Sequence, residues 1–447
     1  MAGGTWLSQN KVRAGAYINF KAVPKSSMTV GDRGIVAIPL NLDWGEEGKL
    51  IEVLSTDLYN NSSNKLVGFN AFDIKTSTPS KIVTGALNYC YKAFIYRMNS
   101  GTKASAILGN LTVTAKYNGT YGNKLMVGIT QDSASGLFEI VTYVNGAVVD
   151  KQKVQTIAEL ENNDYVDFSG DGSLEINAGT ALVGGTSTTG NEAVAYPEFL
   201  NLLSMARWQT LACLSSDVTI KASIQTFINQ MRNDEGKYVQ GVVADYDGAD
   251  SEGIINSING VTIDNLDYSK EEFVAIVAGM TAGANFNESN TARKINGATK
   301  IIGQLNDTQI INALSSGKFV LSTSASGNIK VEQDINSLHT FTSEKNYAFS
   351  KNRVIRTLDE IGTTTKITWE DTYMGKVDNN DTGRGLFKAD LSSYGNELQR
   401  LGGIQDFDSV KDIEVAQGND LDSVLTTWAV KPVDSMEKLY MTVNVNS

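Results

Sequence analysis

The chain has 447 residues, of which 41% are apolar and 20% are charged, a composition typical of globular cores and not of disordered chains. This length favours two or three domains. The 50 acidic residues outnumber the 38 basic ones, and the net charge of −12 argues against direct binding of nucleic acid or of an anionic membrane surface by the molecule as a whole.

The scarcity of thiol and imidazole groups excludes several kinds of site. Cys90 and Cys213 are the two cysteines, so we expect buried thiols and a reducing compartment, with no disulfide framework. His339 is the single histidine, which excludes a cluster of histidine metal ligands within one chain and leaves a Ser-His or Cys-His mechanism only one base. We interpret His339 as a hydrogen-bonded structural residue without a nearby acidic partner, and we expect no enzyme, no metal and no cofactor.

Signals for export or membrane insertion are missing from the sequence. Residues 1–9 contain no basic segment followed by an apolar run, so we expect no secretory signal. The longest weakly polar stretch, 273–287, includes Gly279 and Gly283 and is too short for a membrane span. It predicts a small-residue helix that runs into a loop.

The first hundred residues contain three apolar patterns. An alternating piece near residue 16 predicts a short strand, and apolar runs at 35–42 and 81–96 predict buried strands or a strand with a helix. In the first of these patterns, the residues that we assign to an arm strand are Ala16, Tyr17, Ile18 and Phe20.

Residues 107–186 predict a small all-β domain, because short alternating strands are separated by glycine turns. The predicted strands are 111–117, 124–130, 138–144 and 147–154, and the turns are Asn118-Gly119, Ser135-Gly136 and Asn145-Gly146. The stretch 179–190 is rich in Gly, Ser and Thr, which favours a linker.

Helical periodicity begins after this stretch. Asp217 is placed to cap a helix whose apolar residues recur every three or four positions up to Met231. The elements predicted downstream are a strand at 239–246, helices at 271–280 and 308–314, a strand at 319–323, a strand at 366–369 and a helix from Leu386 to Leu401 ended by Gly402. Alternating strands and helices imply an α/β layered structure.

The most regular pattern lies near the C-terminus. Leu439, Met441, Val443 and Val445 alternate with polar or aromatic residues, which predicts an amphipathic strand. Such a strand needs a sheet edge, either of its own chain or of a neighbour. If both chain ends pair with neighbours, each molecule becomes a node of an extensible polymer.

Two charged clusters are candidate functional sites. Asp245, Asp247, Asp250 and Glu252 follow a predicted strand and form either a solvated loop or a site for a hard cation, although Asp250 stands where an EF-hand loop needs glycine. A metal-dependent hydrolase that uses the first three of these carboxylates is therefore one rival interpretation.

The second cluster is a basic run, residues 345–356, which contains no acidic residue. Its cations are Lys345, Lys351, Arg353 and Arg356. Basic residues among aromatic ones can bind nucleic acid, but on an acidic chain the contact of an acidic protein surface is favoured, with a plain solvated face as the alternative. No segment has the spacing of a phosphate-binding loop.

Several segments, in order along nearly the whole chain, resemble the tail sheath proteins of contractile phages and phage-like bacteriocins. The segments are 15–20 (GAYINF), 231–237 (MRNDEGK), 277–283 (VAGMTAG), 332–336 (EQDIN), 352–359 (NRVIRTLD) and 431–441 (KPVDSMEKLYM). One departure is Ala14-Gly15-Ala16, where the family often has Pro-Gly.

The resemblance implies an α+β multidomain fold, with an α/β layered core built from both chain ends, a nested α/β domain, an inserted small all-β domain and extended terminal arms. The implied segments are an arm at 1–20, core at 21–106, the β domain at 107–186, the nested domain at 187–334, core at 335–431 and a C-terminal arm at 432–447.

The resemblance also implies a structural subunit that forms stacked hexameric rings around a tail tube and contracts, with baseplate and tail-terminator proteins as further partners. The implied location is a virion tail or a phage-tail-like particle assembled in the bacterial cytoplasm. Candidate contacts with the tube or a neighbour are the four cations of the basic run together with Arg384 and Lys388. A static shell or surface-layer protein is the alternative.

Overall fold

The computed structural model describes residues 2–4, 15–17, 28, 33–58 and 78–445. The chain divides into two compact units: a small unit of residues 1–30 and 364–431, and a large unit of residues 31–363 and 432–447. The helices of the described residues are α1 (Thr78–Leu87), α2 (Glu192–Ser204), α3 (Val218–Asn233), α4 (Lys270–Gly283), α5 (Asp307–Ser315), α6 (Asn352–Thr368) and α7 (Asp381–Arg400).

The strands are numbered along the chain. The first fourteen are β1 (Ala2–Gly4), β2 (Gly15–Tyr17), β3 (Ile35–Leu40), β4 (Leu50–Leu54), β5 (Lys92–Arg97), β6 (Gly101–Thr102), β7 (Ser105–Leu108), β8 (Leu111–Ala115), β9 (Leu125–Gln131), β10 (Phe138–Val144), β11 (Ala147–Val154), β12 (Val166–Gly170), β13 (Asn177–Ala181) and β14 (Thr186–Ser187). The others are β15 (Thr210–Ala212), β16 (Gln240–Ala244), β17 (Ile254–Ser257), β18 (Gly260–Ile263), β19 (Leu266–Tyr268), β20 (Ala298–Ile302), β21 (Lys318–Phe319), β22 (Leu321–Thr323), β23 (Ile329–Val331), β24 (Ile413–Gln417) and β25 (Val424–Trp428).

A seven-stranded sheet in the order β21-β17-β16-β15-β3-β5-β4 organises the large unit. Its strands are parallel except at the β4–β5 edge. Along β3, Val36 and Ile38 pack into the core that contains α1 and α4, whereas Ile35 and Ala37 pack into the core that contains α2 and α3. The sheet is therefore covered on both faces, as parallel sheets require.

This sheet joins segments that are far apart in the sequence. β3 to β5 belong to the segment predicted as core, and β15 to β21 belong to the segment predicted as a nested domain, yet they are hydrogen-bonded neighbours in one sheet. Pairing between strands more than a hundred residues apart leaves no local signal in the sequence.

The β domain is inserted between β5 and α2. Its two sheets, β11-β10-β9-β13 and β12-β8-β7, share one core around Leu111, Val127 and Val166. Asn145 (φ 49°) and Gly146 (φ 82°) make the predicted hairpin turn between β10 and β11. Gly136 (φ 72°) lies in the predicted turn between β9 and β10.

Three local predictions were wrong. Asn118-Gly119 does not close a hairpin, because β8 pairs with β7 and β12, and a 3-10 turn follows. Residues 179–190 are not a linker, since β13 pairs with β9 and β14 with β6. Residues 366–369 are not a strand: α6 runs to Thr368 and a π-helical turn, Trp369–Tyr373, follows. Four residues of alternation are too few to distinguish a strand from the end of a helix.

The predicted start of α3 and the predicted end of α7 are confirmed. Asp217 caps α3 by accepting a hydrogen bond from the Thr219 backbone N–H, and α7 ends before Gly402, whose φ is 74°.

No helix of the described ranges has both the length and the apolar character needed to cross a membrane. Cys90 and Cys213 are buried free thiols, as predicted.

Helix α4 is buried on all sides and depends on glycine where it crosses α1. A Cβ on Gly279 would lie 2.4 Å from the carbonyl oxygen of Ala86, and a Cβ on Gly283 would lie 1.8 Å from that of Tyr89. Such distances leave no room for a side chain, so these glycines set the separation of the two segments.

We therefore expect Gly283→Ala to lower the free energy of unfolding by ~1–3 kcal/mol through overpacking. Urea denaturation measures this change. Gly385→Ala, in the interior of α7 with open space around the new Cβ, is the control and should be neutral or stabilising by up to ~1 kcal/mol. Equal effects of the two substitutions would contradict the packing explanation.

Candidate assembly surface

The C-terminal arm, residues 432–447, carries the most exposed apolar segment of the described chain. The exposed fractions of Leu439, Met441, Val443 and Val445 are 84%, 72%, 70% and 88%, and Tyr440 between them is 89% exposed. None of residues 438–445 belongs to a β-ladder within the described part of the chain. Among the described residues, the predicted amphipathic strand thus has no sheet edge to join, which is a configuration that favours pairing with another chain.

The arm contacts the rest of the large unit through a buried carboxylate, that of Glu437. The side chain of Glu437 is 9% exposed, and one of its oxygens lies 2.5 Å from the Nζ of Lys351, which is 4% exposed. Its other oxygen accepts a hydrogen bond of 2.7 Å from the Thr291 hydroxyl. Burial lowers the pKa of Lys351, but the hydrogen bond and charge of Glu437 outweigh it and raise the pKa overall.

A buried polar network continues inward from this point. The Thr291 hydroxyl oxygen accepts a hydrogen bond from the Asp334 backbone N–H. The Asp334 carboxylate receives bonds from Arg356 (2.6 Å) and from the Asn352 side chain (2.9 Å). Arg356 and Asp334 are 0% and 1% exposed. Burial alone would raise the pKa of Asp334, but the Arg356 charge and the hydrogen bonds together hold that pKa below its ordinary value.

The basic run, residues 345–356, does not form one open surface in this conformation. Lys351 and Arg356 are buried and paired with Glu437 and Asp334, so their charges act within the large unit. Lys345 lies 2.6 Å from Glu252 and is partly exposed. Arg353 lies near Asp434 of the arm, whose charge opposes the lowering of the Arg353 pKa by burial. Two of the acidic groups beside this run, Asp434 and Glu437, therefore belong to the chain's own arm.

The other two candidate cations lie on α7 of the small unit. Arg384 donates to the backbone and side chain of Asn379 and pairs with Asp381 at 2.5 Å, whereas Lys388 is partly exposed one turn further along. A cleft of about 620 Å³ next to Arg384 is floored by the aromatic rings of Trp369, Tyr373 and Phe387. Contacts of the six candidate cations with a tube or a neighbour stay predictions, and in the present conformation two of the six, Lys351 and Arg356, are buried.

The N-terminal strand residues are partly within the described chain. Ala16 and Tyr17 lie in β2, which pairs in parallel with β1, with Ala16 opposite Gly3 and Tyr17 opposite Gly4. Ile18 and Phe20 lie outside the described residues. The predicted strand near residue 16 is present, and its described partner belongs to the same chain.

The small unit contains a two-stranded antiparallel sheet, β24-β25. Within the described residues, the outer edge of each of its strands has no ladder partner. Leu425 of β25 is 61% exposed. Two-stranded sheets are marginal by themselves, so these edges are candidates to receive further strands.

Each of the four acidic side chains of the cluster at 245–252 has a hydrogen-bond or ion-pair partner elsewhere in the chain. Asp245 pairs with Lys270 (2.9 Å), Asp247 with Lys318 (3.0 Å) and Glu252 with Lys345. Asp250 accepts a hydrogen bond from the His339 backbone N–H. Among the residues that the structure describes, no three His, Cys, Asp or Glu side chains converge as metal ligands would.

The structure corrects one expectation about His339. Its Nδ1 lies 3.4 Å from a carboxylate oxygen of Asp250, an acidic partner 89 positions away in sequence. The same Nδ1 is 2.9 Å from the Ser337 carbonyl oxygen. The structural interpretation of this histidine fits these contacts.

Sequence reasoning missed Glu437, Asp434 and Thr291 as parts of the site. The available signal was charge: the arm carries two acidic residues before its apolar alternation, and the basic run has no acidic residue of its own. Opposite charges in two segments suggest a contact, but the pairing of positions 351 and 437 could not be derived without the fold.

Family models match three consecutive parts of the chain: the phage tail sheath protein beta-sandwich domain (99–189), the phage tail sheath protein central domain (189–337) and the phage tail sheath C-terminal domain (344–446). The chain is similar to the phage-like element PBSX protein XkdK of Bacillus subtilis, with 34% identity over the full length of both.

Solved structures are similar as well. The sheath tail protein of Desulfitobacterium hafniense matches with a TM-score of 0.83 and 38% identity over 96% of this chain and 99% of that one. The helical sheath of the anti-feeding prophage in its contracted state shares the fold, with a TM-score of 0.57 and 10% identity over 98% and 99% of the two chains.

Replacement of Asp334 tests the buried network. Because Asp334→Asn leaves the fully buried Arg356 without a counter-charge, we expect the free energy of unfolding to fall by ~3–5 kcal/mol. Urea denaturation measures this loss. Asp406→Asn, which breaks the exposed pair of Asp406 and Lys431, is the control and should cost less than ~1 kcal/mol.

The pH dependence of the free energy of unfolding tests whether ionised Asp334 stabilises the fold. A carboxyl whose pKa is lowered in the folded state stabilises fully above its unfolded pKa, about 4, and this stabilisation is lost as the pH falls toward the lowered value. The unmodified chain should therefore lose more stability below pH 4 than Asp334→Asn does. An identical acid dependence of both proteins would contradict the role of Asp334.

Proposed function

Because this chain belongs to the phage tail sheath protein family, we propose that it is the structural subunit of a contractile tail sheath. It polymerises as stacked hexameric rings around a tail tube and contracts to drive the tube through the envelope of a target cell. Its partners are further copies of itself, the tail tube protein, and baseplate and tail-terminator proteins. The particle is a virion tail or a phage-tail-like particle assembled in the host bacterial cytoplasm.

One observation carries the proposal: the arm presents four apolar side chains, each at least 70% exposed, on a segment without a ladder partner among the described residues. Unpaired backbone groups and exposed apolar side chains are both satisfied when the segment joins the sheet of another copy. The open edges of β24-β25 are suited to receive it.

Strand donation also supports movement without disassembly. A donated strand is held by backbone hydrogen bonds at one end and by the covalent chain at the other, so the bodies of two subunits can rotate while the connection persists. Contraction then draws on the free-energy difference between two packings of the same polymer, summed over many identical steps. Nucleotide hydrolysis is not part of this scheme.

Deletion of Leu439–Ser447 tests the arm. We expect the truncated protein to remain folded, because the described arm residues beyond Glu437 are exposed, and to form no cylinders. Circular dichroism follows the fold and negative-stain electron microscopy follows assembly. The matched control replaces Tyr440, Thr442 and Asn444 by Ser, which spares the apolar face and should preserve cylinders. Normal cylinders from the truncated protein would contradict strand donation.

A second measurement separates a sheath from a static shell or surface-layer protein. Assembled cylinders should occur in two discrete forms, a long narrow one and a short wide one, since contraction requires two packings of the polymer. Negative-stain microscopy before and after mild urea treatment measures both length and diameter. A single form under all conditions would favour the static alternative.

A further inference from the structure

We infer that Glu437 is a positioning residue that fixes the point at which the arm leaves the large unit, and that it thereby sets the register and reach of the donated strand. This inference rests on the proposed function and deepens it. It assigns the role to a contact within one molecule, between Glu437 and its partners Lys351 and Thr291.

The burial of Glu437 contrasts with its surroundings. Its side chain is 9% exposed, whereas Met436 before it and Leu439 after it are 104% and 84% exposed. Between these two exposed residues, the Glu437 carboxylate is held by Lys351 at 2.5 Å and by the Thr291 hydroxyl at 2.7 Å. A flexible tail would not bury a charged group, because burial without a partner is costly.

Both partners of Glu437 belong to segments that are held by further backbone contacts. Lys351 forms a β-bridge with Ile335 and precedes α6 directly. Thr291 accepts the backbone hydrogen bond from Asp334, whose carboxylate is held by the fully buried Arg356. The contact is therefore built on the rigid interior of the large unit. Its loss would leave the Lys351 ammonium buried without a counter-charge, which is strongly unfavourable.

A fixed point resolves an ambiguity in the apolar pattern. A slip of one residue turns the wrong face of a strand toward the core, but a slip of two residues restores the same alternation. The four apolar residues of the arm alternate with period two, so the pattern by itself admits registers that differ by two. Holding the chain at Glu437 selects one of them, because it fixes the distance from the large unit to each apolar side chain.

The same contact limits how far the arm extends. Residues 438–445, at ~3.3 Å per residue in an extended strand, span about 26 Å. Release of Glu437, together with the neighbouring Asp434 that lies near Arg353, would add residues 433–437 to the free segment, a further ~16 Å at the same rise per residue. An intact contact thus keeps neighbouring subunits within a short distance of one another.

Spin labels test the contact in the isolated chain. Nitroxide labels are placed at Met436→Cys and, separately, at Val443→Cys. Cys90 and Cys213 should react slowly, because burial raises the pKa of their thiols to about 12 and about 11. We expect the label at 436 to be immobilised despite its full exposure, and to become several-fold more mobile in Glu437→Gln. The label at 443 should be mobile in both proteins.

Photo-crosslinking tests register in the assembly. A photoreactive residue at position 443 should crosslink to a single position of a neighbouring copy in the unmodified protein, and to positions two residues apart in Glu437→Gln. Asp406→Asn, which removes an exposed ion pair, is the control and should keep the single position. Mass spectrometry identifies the crosslinked residues.

The outcomes separate this inference from the proposed function. A label at 436 that is as mobile as the label at 443, or a single crosslinked position retained in Glu437→Gln, would overturn the inference alone. Complete absence of crosslinks between copies of the unmodified chain would instead overturn the proposed function.

Discussion

An exposed, extended segment with an apolar face is stabilised when it joins the edge of a sheet, because its side chains leave water and its peptide groups exchange water for backbone partners. Helices and inner strands of the large unit satisfy their peptide groups internally, but residues 438–445 have no ladder partner within the described chain. Their exposed apolar side chains add a second reason to pair. A sheet edge supplied by another copy would pair the backbone and cover the apolar side chains at once, and this is the physical basis of the proposed polymer.

Buried ion pairs of the large unit hold the residues from which this exposed segment extends. Arg356, Asp334 and the pair of Lys351 and Glu437 connect the start of α6 with the root of the arm. Buried ion pairs add little net stability compared with apolar packing, but they penalise alternative arrangements because a separated partner is left uncompensated. The network therefore suits a role in specifying one geometry, which a subunit that is repeated many times in a regular array requires.

Much of the local structure could be predicted from the sequence, because its causes are local. Asn145-Gly146 adopts positive φ at both positions and closes a hairpin, and Asp217 caps α3. The periodicities also predicted a small all-β domain and an α/β layered structure, and the multidomain α+β class that the resemblance implied is confirmed by the fold. Four residues at 366–369 predicted the wrong element, since so short an alternation does not distinguish a strand from a helix end.

The rest depends on contacts between distant residues. No local pattern indicates that β3 pairs with β15, because the two strands are more than 160 residues apart in the sequence. Likewise, the basic run was interpreted as an outward surface, because the acidic partners of Lys351 and Arg356 lie 86 and 22 positions away. For the candidate site, the apolar arm was visible in the sequence, whereas the carboxylate that holds its root was not.

Whether the arm is donated outward is decided most directly by a high-resolution cryo-electron microscopy map of an assembled cylinder. We expect density for residues 439–445 to continue from one subunit into the sheet of an adjacent subunit, with backbone hydrogen bonds across the two chains. Density that folds these residues back onto their own subunit would contradict strand donation, and with it the proposed way in which the polymer stays connected as it shortens.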